Sequence, residues 1–303
     1  MQSQSTRRRF LAAAGAVAVT AAIRPNAAFA AGPTGIRFGY TAMTWGKEER
    51  QAIDDISATG FEGIQFRIDA TTEFQPDDLR SILKQRRLTF VALSSGEVAV
   101  DPATEADTIS KHTANAKFLR DAGGLYLQVL DQLKPYPRTV AAEECRQLGA
   151  LLTKIGKQTA DLGVPLVYHN HVNTISEHPA NLDLVLESSD PKYVKLLLDT
   201  AHSVAGGGDP AEAIRKYHDR LLLVHLKDVV DIPLDTRGAK YPFQWMELGR
   251  GRVDLPAVFA ALEKVQYRGW AVVELDKVPE KTGTPKESAM ISRKYLEERW
   301  GML

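Results

Sequence analysis

The chain has 303 residues, 44% hydrophobic, 25% charged and 8% aromatic, a composition that excludes disordered and fibrous classes and leaves enough apolar side chains for a full core. Lys plus Arg equals Asp plus Glu at 38 each, so no global positive field draws the chain to nucleic acid or to an anionic membrane surface. Cys145 is the single cysteine, which rules out an intramolecular disulfide.

The first thirty residues have the three parts of an export signal. Arg7-Arg8-Arg9 precede Phe10-Leu11, an Ala/Val-rich stretch follows, and Ala28-Phe29-Ala30 places small residues at a cleavage spacing. The arginines before Phe-Leu resemble a twin-arginine signal. That implies passage of the folded protein through the twin-arginine export machinery to a periplasmic or secreted location, with cleavage expected after Ala30. The apolar run from Leu11 to Ile23 is shorter than the roughly 20 residues of a spanning helix, so no stable membrane anchor is expected. Residues 1–30 hold Arg7, Arg8, Arg9 and Arg24 and no acid, so 34 basic side chains face 38 acidic ones in the remainder.

From Ile36 the chain alternates short apolar runs with longer amphipathic stretches, the pattern of repeated βα units. Strands are expected at Ile36–Tyr40, Gly63–Phe66, Thr89–Leu93, Gly124–Val129, Pro165–His169, Val194–Asp199, Leu221–His225 and Trp270–Glu274. Their near-continuous apolar character fits strands covered on both faces. Eight intervening helices are expected, the clearest carrying Leu148, Leu151, Leu152, Ile155 and Leu162 on one stripe. Gln75-Pro76-Asp77-Asp78 and Asp209-Pro210-Ala211-Glu212 have helix-start chemistry, with acids beside the positive N-terminus. Eight units after residue 30 suit an α/β (β/α)8 TIM barrel, here a single domain over 31–303. An open doubly wound sheet would ordinarily carry a Gly-rich first turn, and Tyr40 to Trp45 does not. The connection from Val229 to Arg252 shows little regular pattern. Its place after the seventh strand makes it a substrate-covering loop.

Polar residues collect where the last four strands end, the mouth at which such a barrel keeps its active site. The fifth strand runs into Tyr168-His169-Asn170-His171, the sixth into Asp199-Thr200-Ala201-His202, the seventh into His225-Leu226-Lys227-Asp228 and the eighth into Glu274-Leu275-Asp276. A period of two puts His169 with His171, His225 with Lys227, and Glu274 with Asp276 on common faces. Imidazole and carboxylate groups from His169, Asp199, His225 and Glu274 suit one divalent ion, manganese, cobalt, zinc, iron or magnesium, with positions open for substrate.

These strand ends, with Gly249-Arg250-Gly251-Arg252-Val253-Asp254 and Gly269-Trp270-Ala271-Val272-Val273-Glu274, resemble those of the xylose-isomerase-like barrels. That is the sugar phosphate isomerase/epimerase superfamily, and the nearest likeness is to its inosose dehydratase branch. The resemblance implies a metal held by Glu, Asp, His and Glu from strands five to eight. Asp199, His225 and Glu274 match. His169 stands where many members have Glu, so the paired glutamates of a two-base epimerase are incomplete. His202 matches a position that contacts substrate hydroxyls, and His171 is a further substrate-binding candidate beside His169. Lys227 is placed to hydrogen-bond a developing oxyanion, unless a salt bridge to Asp228 or Glu274 occupies it. Trp45 is either a wall for a sugar ring or a core aromatic. Arg67 and Glu97 are weaker candidates, equally readable as surface residues.

The expected chemistry is removal of a proton next to a carbonyl, with Glu274, His169 and Lys227 as catalytic groups. The substrate is a non-phosphorylated sugar or polyol, which is then isomerised or loses a β-substituent. The other readings are an exported carbohydrate-binding protein without catalysis and a metal-dependent endonuclease-like hydrolase, the latter opposed by the acidic balance. Oligomeric state is left open.

Overall fold

The computed structural model describes residues 35–133, 139–233, 241–280 and 283–301. The expected export segment therefore lies outside the described residues. Eight strands close a parallel barrel: β1 (Arg37–Thr41), β2 (Gly63–Arg67), β3 (Thr89–Val98), β4 (Tyr126–Asp131), β5 (Leu166–His169), β6 (Val194–Asp199), β7 (Leu221–Leu226) and β10 (Trp270–Val273). Around the barrel the order is β1-β10-β7-β6-β5-β4-β3-β2. Between β7 and β10 lies a separate antiparallel hairpin of β8 (Asp228–Asp231) and β9 (Phe243–Met246).

The helices are α1 (Glu49–Thr59), α2 (Ala70–Glu73), α3 (Pro76–Gln85), α4 (Glu105–Asp121), α5 (Ala142–Asp161), α6 (Pro179–Glu187), α7 (Thr200–Ala205), α8 (Pro210–Lys216), α9 (Leu255–Lys264) and α10 (Pro285–Trp300). The short α2 and α7 are additional to the eight expected. Helix starts follow local chemistry: Pro76 and Pro210 occupy first-turn positions, and Asp209 Oδ1 accepts from the backbone N–H groups of Ala211 and Glu212. On α5 the predicted stripe is buried from Leu148 to Ile155.

The strands sort their side chains by a period of two, interrupted on β3 where the register against β2 skips Val91 and leaves it in one cluster with Ala92. Val91, Ala92, Val167, Leu197, Leu223, Trp270 and Val272 form a cluster of their own inside the bore, while Leu166, Tyr168, Leu196, Leu198, Val224, Leu226, Ala271 and Val273 join the large cluster beneath the helices. Two residues beyond Val167, Leu197, Leu223 and Val272 come His169, Asp199, His225 and Glu274. An apolar plug thus floors the site, and strand periodicity sets the polar groups on top of it.

Most strand boundaries differ from the sequence expectation by a residue or two, and three departures have a structural reason. Strand β4 begins at Tyr126 rather than Gly124, a position where a side chain would meet Leu119 Cδ1 at 2.0 Å. Strand β3 runs on to Val98 past a register shift between Ser94 and Glu97, so Glu97 lies within the strand, exposed, rather than after it. The expected patternless connection after β7 contains the β8–β9 hairpin. Its two strands have only four residues each, too short for periodicity to reveal them.

Asp228 holds this hairpin. Its Oδ1 accepts from the N–H groups of Val229 (2.9 Å) and Val253 (3.1 Å), and its Oδ2 from those of Gly249 (3.0 Å) and Gly251 (2.8 Å). The Gly-Arg-Gly-Arg-Val-Asp motif is therefore a wrap around one carboxylate. A Cβ on Gly251 would lie 2.1 Å from Asp228 Oδ1, so only glycine lets the backbone approach so closely. Gly251→Ala should destabilise the protein by about 1–3 kcal/mol through this overpacking. Urea unfolding that shows an unchanged midpoint would contradict the role given to the motif.

Candidate active site

The heads of His169, Asp199, His225 and Glu274 meet above the plug, all within 4% of complete burial. Asp199 Oδ2 lies 3.6 Å from His169 Nε2 and 3.7 Å from His225 Nδ1, and Glu274 Oε2 lies 3.3 Å from His225 Nδ1. His169 Nε2, Asp199 Oδ2 and His225 Nδ1 are buried without a hydrogen-bond partner among the described residues. Orphaned polar atoms in a protein interior are costly, and three aimed at one another are rarer still.

The other atom of each group is occupied, and that fixes where the orphaned one points. Asp199 Oδ1 caps α7 by accepting from His202 N–H at 2.8 Å. His225 Nε2 meets Gln65 Oε1 at 3.0 Å, Gln65 Nε2 donates to Gln128 Oε1 at 3.2 Å, and Gln128 Nε2 meets His169 Nδ1 at 3.1 Å. The sequence reading missed Gln65 and Gln128. The available signal was a polar residue at an inward position of an otherwise apolar strand, in Gly63-Ile64-Gln65 and Tyr126-Leu127-Gln128. Asp131, at the end of β4, accepts from Tyr168 Oη at 2.6 Å and from Ile175 N–H, and so anchors the loop that carries His171.

Lys227 is wholly buried. Its ammonium donates to Glu274 Oε1 at 3.0 Å and Asp276 Oδ1 at 2.8 Å, and sits 4.5 Å from the centre of the Trp245 ring. Of the two salt bridges expected for it, the one to Glu274 is present. Asp228 is instead taken up by backbone N–H groups, and Asp276 is the second partner. Burial alone would lower the ammonium, but Asp276, Glu274 and Asp199 together hold it above its ordinary value. Burial works against ionisation of Glu274, yet His225, Lys227 and His169 pull it down to about 2. Burial lowers His169, lowers His171 to about 3 and, with the neighbouring His171, lowers His202. These imidazoles are neutral at physiological pH.

His202 and His171 flank this group. The Val172 peptide orients both: its N–H donates to His202 Nδ1 at 3.2 Å and its carbonyl takes His171 Nδ1 at 2.7 Å, which brings the rings to 3.7 Å apart at a tilt of 33°. Trp245, from β9, lies 4.6 Å from His202 and is followed outward by Phe243 and Tyr241. This aromatic cover was invisible in sequence because its strand was. Trp45 sits in the core, edge-on to Tyr40 with Nε1 bonded to Asp55, the second of its two sequence readings. Arg67 ends β2 paired with Asp69, and Glu97 is a surface residue whose carbonyl accepts from Lys111.

The donor set fits a divalent cation. Asp199, Glu274 and the partly exposed Asp276 oppose the single charge of Lys227, so the cluster carries more negative than positive charge. His169, Asp199, His202 and Glu274 each present a potential ligand atom within 4.8 Å of the others. His202 is nevertheless the poorer ligand, since Nδ1 is bonded to Val172 and Nε2 faces the Lys227 ammonium at 3.3 Å. His225, with its bare Nδ1 beside both carboxylates, is the better one.

A closed parallel barrel with a buried His/Asp/His/Glu group at its C-terminal mouth has the layout of a barrel enzyme's active site. Residues 53–298 match the xylose isomerase-like TIM barrel family, and the chain belongs to it. It is 30% identical over 295 residues to an inosose dehydratase of Lacticaseibacillus casei, covering 86% of this chain and 96% of that one. It is 29% identical over 242 residues to one of Geobacillus kaustophilus, covering 73% and 78%. Among solved structures it superposes on L-ribulose 3-epimerase with a TM-score of 0.72 at 19% identity, covering 87% of this chain and 94% of that one. It superposes on the IOLI protein with a zinc atom with a TM-score of 0.71 at 17% identity, covering 87% and 97%. At these identities the two structures establish the fold.

Replacing Lys227 by Met removes the one cation from this cluster and should cost about 3–5 kcal/mol, the usual effect of stranding a buried partner charge. The loss should be smaller at pH 5 than at pH 8. Without the ammonium the carboxyls of Glu274 and Asp276 titrate higher in the folded state, and stability lost as pH rises returns as they protonate. Chemical unfolding at the two pH values checks this, and equal losses at both would contradict it.

Proposed function

We propose that this protein removes a proton next to the carbonyl of a non-phosphorylated keto-sugar or keto-polyol and then expels a β-substituent, with a divalent metal as cofactor. The observation that carries this reading is the convergence of three orphaned buried atoms, from His169, Asp199 and His225, beside Glu274 and a buried ammonium. The dehydratase relatives support elimination, and His169 in place of a glutamate argues against two-base epimerisation.

Asp199, His225 and Glu274 would hold the ion, with His169 beside them. When bound, the ion supplies a Lewis acid for the carbonyl oxygen. The remaining work falls to the chain. Glu274 takes the carbon-bound proton, and the C–H electron pair becomes the double bond of an enediolate. A carboxylate held near 2 is a weak base, so the step depends on stabilising the oxyanion. Lys227 Nζ and His202 Nε2 are the donors for that. The enediolate then collapses, the β-oxygen leaves with its bonding pair and takes up a proton, and an unsaturated ketone and water result. Reprotonation at carbon instead gives isomerisation. Trp245, against His202 and Lys227, excludes water and offers an apolar face to the ring.

Exchange of a substrate carbon-bound hydrogen with deuterated water, followed by NMR on a keto-inositol and on a panel of keto-sugars, tests this. Chelation should abolish exchange. Glu274→Gln should slow it about 10²–10⁴-fold, the range for loss of a general base. Asp199→Ala and His225→Ala should lose bound metal in elemental analysis with the fold retained. Full metal content in both variants, or exchange indifferent to chelation, overturns the reading.

Residues 1–30 are proposed as a cleaved twin-arginine signal and the remainder as one exported domain, supported by the arginine pair and the Ala28-Phe29-Ala30 site. Arg7→Lys with Arg8→Lys should leave the precursor unexported in cell fractionation. Unimpaired export of that double variant rejects the assignment.

A further inference from the structure

His225 and His169 are joined by an unbroken chain of side-chain contacts through Gln65 and Gln128, all four residues buried to 2% exposure or less. Among the described residues the two amides have no other hydrogen-bond partner, so the chain has a polarity. A primary amide is a donor at nitrogen and an acceptor at oxygen, and a neutral imidazole has one N–H and one lone pair. With Gln65 Oε1 toward His225, that histidine must carry its proton on Nε2, and Nδ1 is bare. Gln65 Nε2 then donates to Gln128 Oε1, which turns Gln128 Nε2 toward His169. There it meets a bare Nδ1, and the His169 proton is forced onto Nε2. Reversing both amides reverses both histidines. What neither polarity permits is a lone pair on His225 Nδ1 and on His169 Nε2 together. That would turn the two amide nitrogens toward each other across 3.2 Å, two buried donors without an acceptor.

From this we infer that Gln65 and Gln128 are positioning residues that allow only one of the two central imidazoles to bind the metal, with His225 taking it through Nδ1 and His169 left as an Nε2–H donor. His225 is the ligand of the two because its Nδ1 lies beside both Asp199 Oδ2 (3.7 Å) and Glu274 Oε2 (3.3 Å). His169 Nε2 is paired with Asp199 alone, at 3.6 Å. His169 is then a neutral imidazole donating a hydrogen bond to a substrate oxygen, the same service that Lys227 renders from the other side of the site. The inference deepens the proposed metal-dependent function and rests on it.

Tautomers are read directly from two-bond ¹H–¹⁵N correlation spectra of protein labelled at histidine nitrogen. His169→Asn and His225→Asn variants assign the signals. In metal-free protein the two histidines should show the same tautomer, both protonated on Nε2. On adding zinc, His225 Nδ1 should shift to the position of a ligated nitrogen while His169 keeps an Nε2–H. Gln128→Glu supplies an acceptor in place of the donor, which moves the His169 proton to Nδ1 and bares Nε2. Both histidines should then shift with zinc, and zinc should bind about tenfold or more tighter, on the scale by which outer-shell partners alter affinity. Two ligated imidazoles in the unaltered protein, or opposite tautomers in the metal-free form, overturn the inference while leaving the metal site intact. Like tautomers with no signal moved by zinc overturn the metal site instead and leave the amide chain standing.

Discussion

The ammonium of Lys227 is wholly removed from solvent, and most of the site is arranged around that fact. A buried lysine is tolerated only where carboxylates compensate it, and here Glu274 and Asp276 do so from β10 and the residues after it. Its backbone N–H and carbonyl are both tied to Thr200 Oγ1 at the start of α7, and its charge lies against Trp245 of the hairpin. One residue thereby links β10, α7 and β9. The cluster it belongs to still carries surplus negative charge, which is the electrostatic reason a divalent cation suits the mouth.

Two carboxylates act as hinges between backbone and chemistry. Asp199 spends one oxygen on capping α7 and keeps the other for the centre of the site, so helix geometry aims the free oxygen. Asp228 spends both oxygens on backbone N–H groups of its own loop and contributes nothing to the centre directly. Its effect is to hold the hairpin that delivers Trp245. The glycines at 249 and 251 follow from that wrap. Gly249 adopts a φ of +79°, where a Cβ would in addition strike Tyr295, and Gly251 has no room for one.

Much of the site was legible from strand periodicity. Period two states which residues face the bore, and it put His169, Asp199, His225, Lys227 and Glu274 there. It is silent on which groups then touch. Lys227 reads equally well as an oxyanion donor or as half of a salt bridge, and the structure shows it bonded to two carboxylates, one of them Asp276, which was not among its expected partners. Trp45 likewise reads as ring platform or core aromatic, and Tyr40 and Asp55 take it into the core. The aromatic next to the site is Trp245, from a strand too short to announce itself.

By itself the sequence determined the βα alternation, the closed barrel it implies and the inward set of polar strand ends, because those depend on local propensity and on a two-residue repeat. Only the tertiary structure decided the partners. Gln65 and His225 are 160 residues apart and meet because closure of the barrel brings β2 and β7 to the same bore. The alignment of each strand end against its neighbours, down to the shifts between Ile64 and Gln65 on β2 and between Leu196 and Leu197 on β6, is a property of the whole closed sheet. Hydrogen-bond polarity across the bore and the stacking of the hairpin over the mouth follow from that register, which no local pattern encodes.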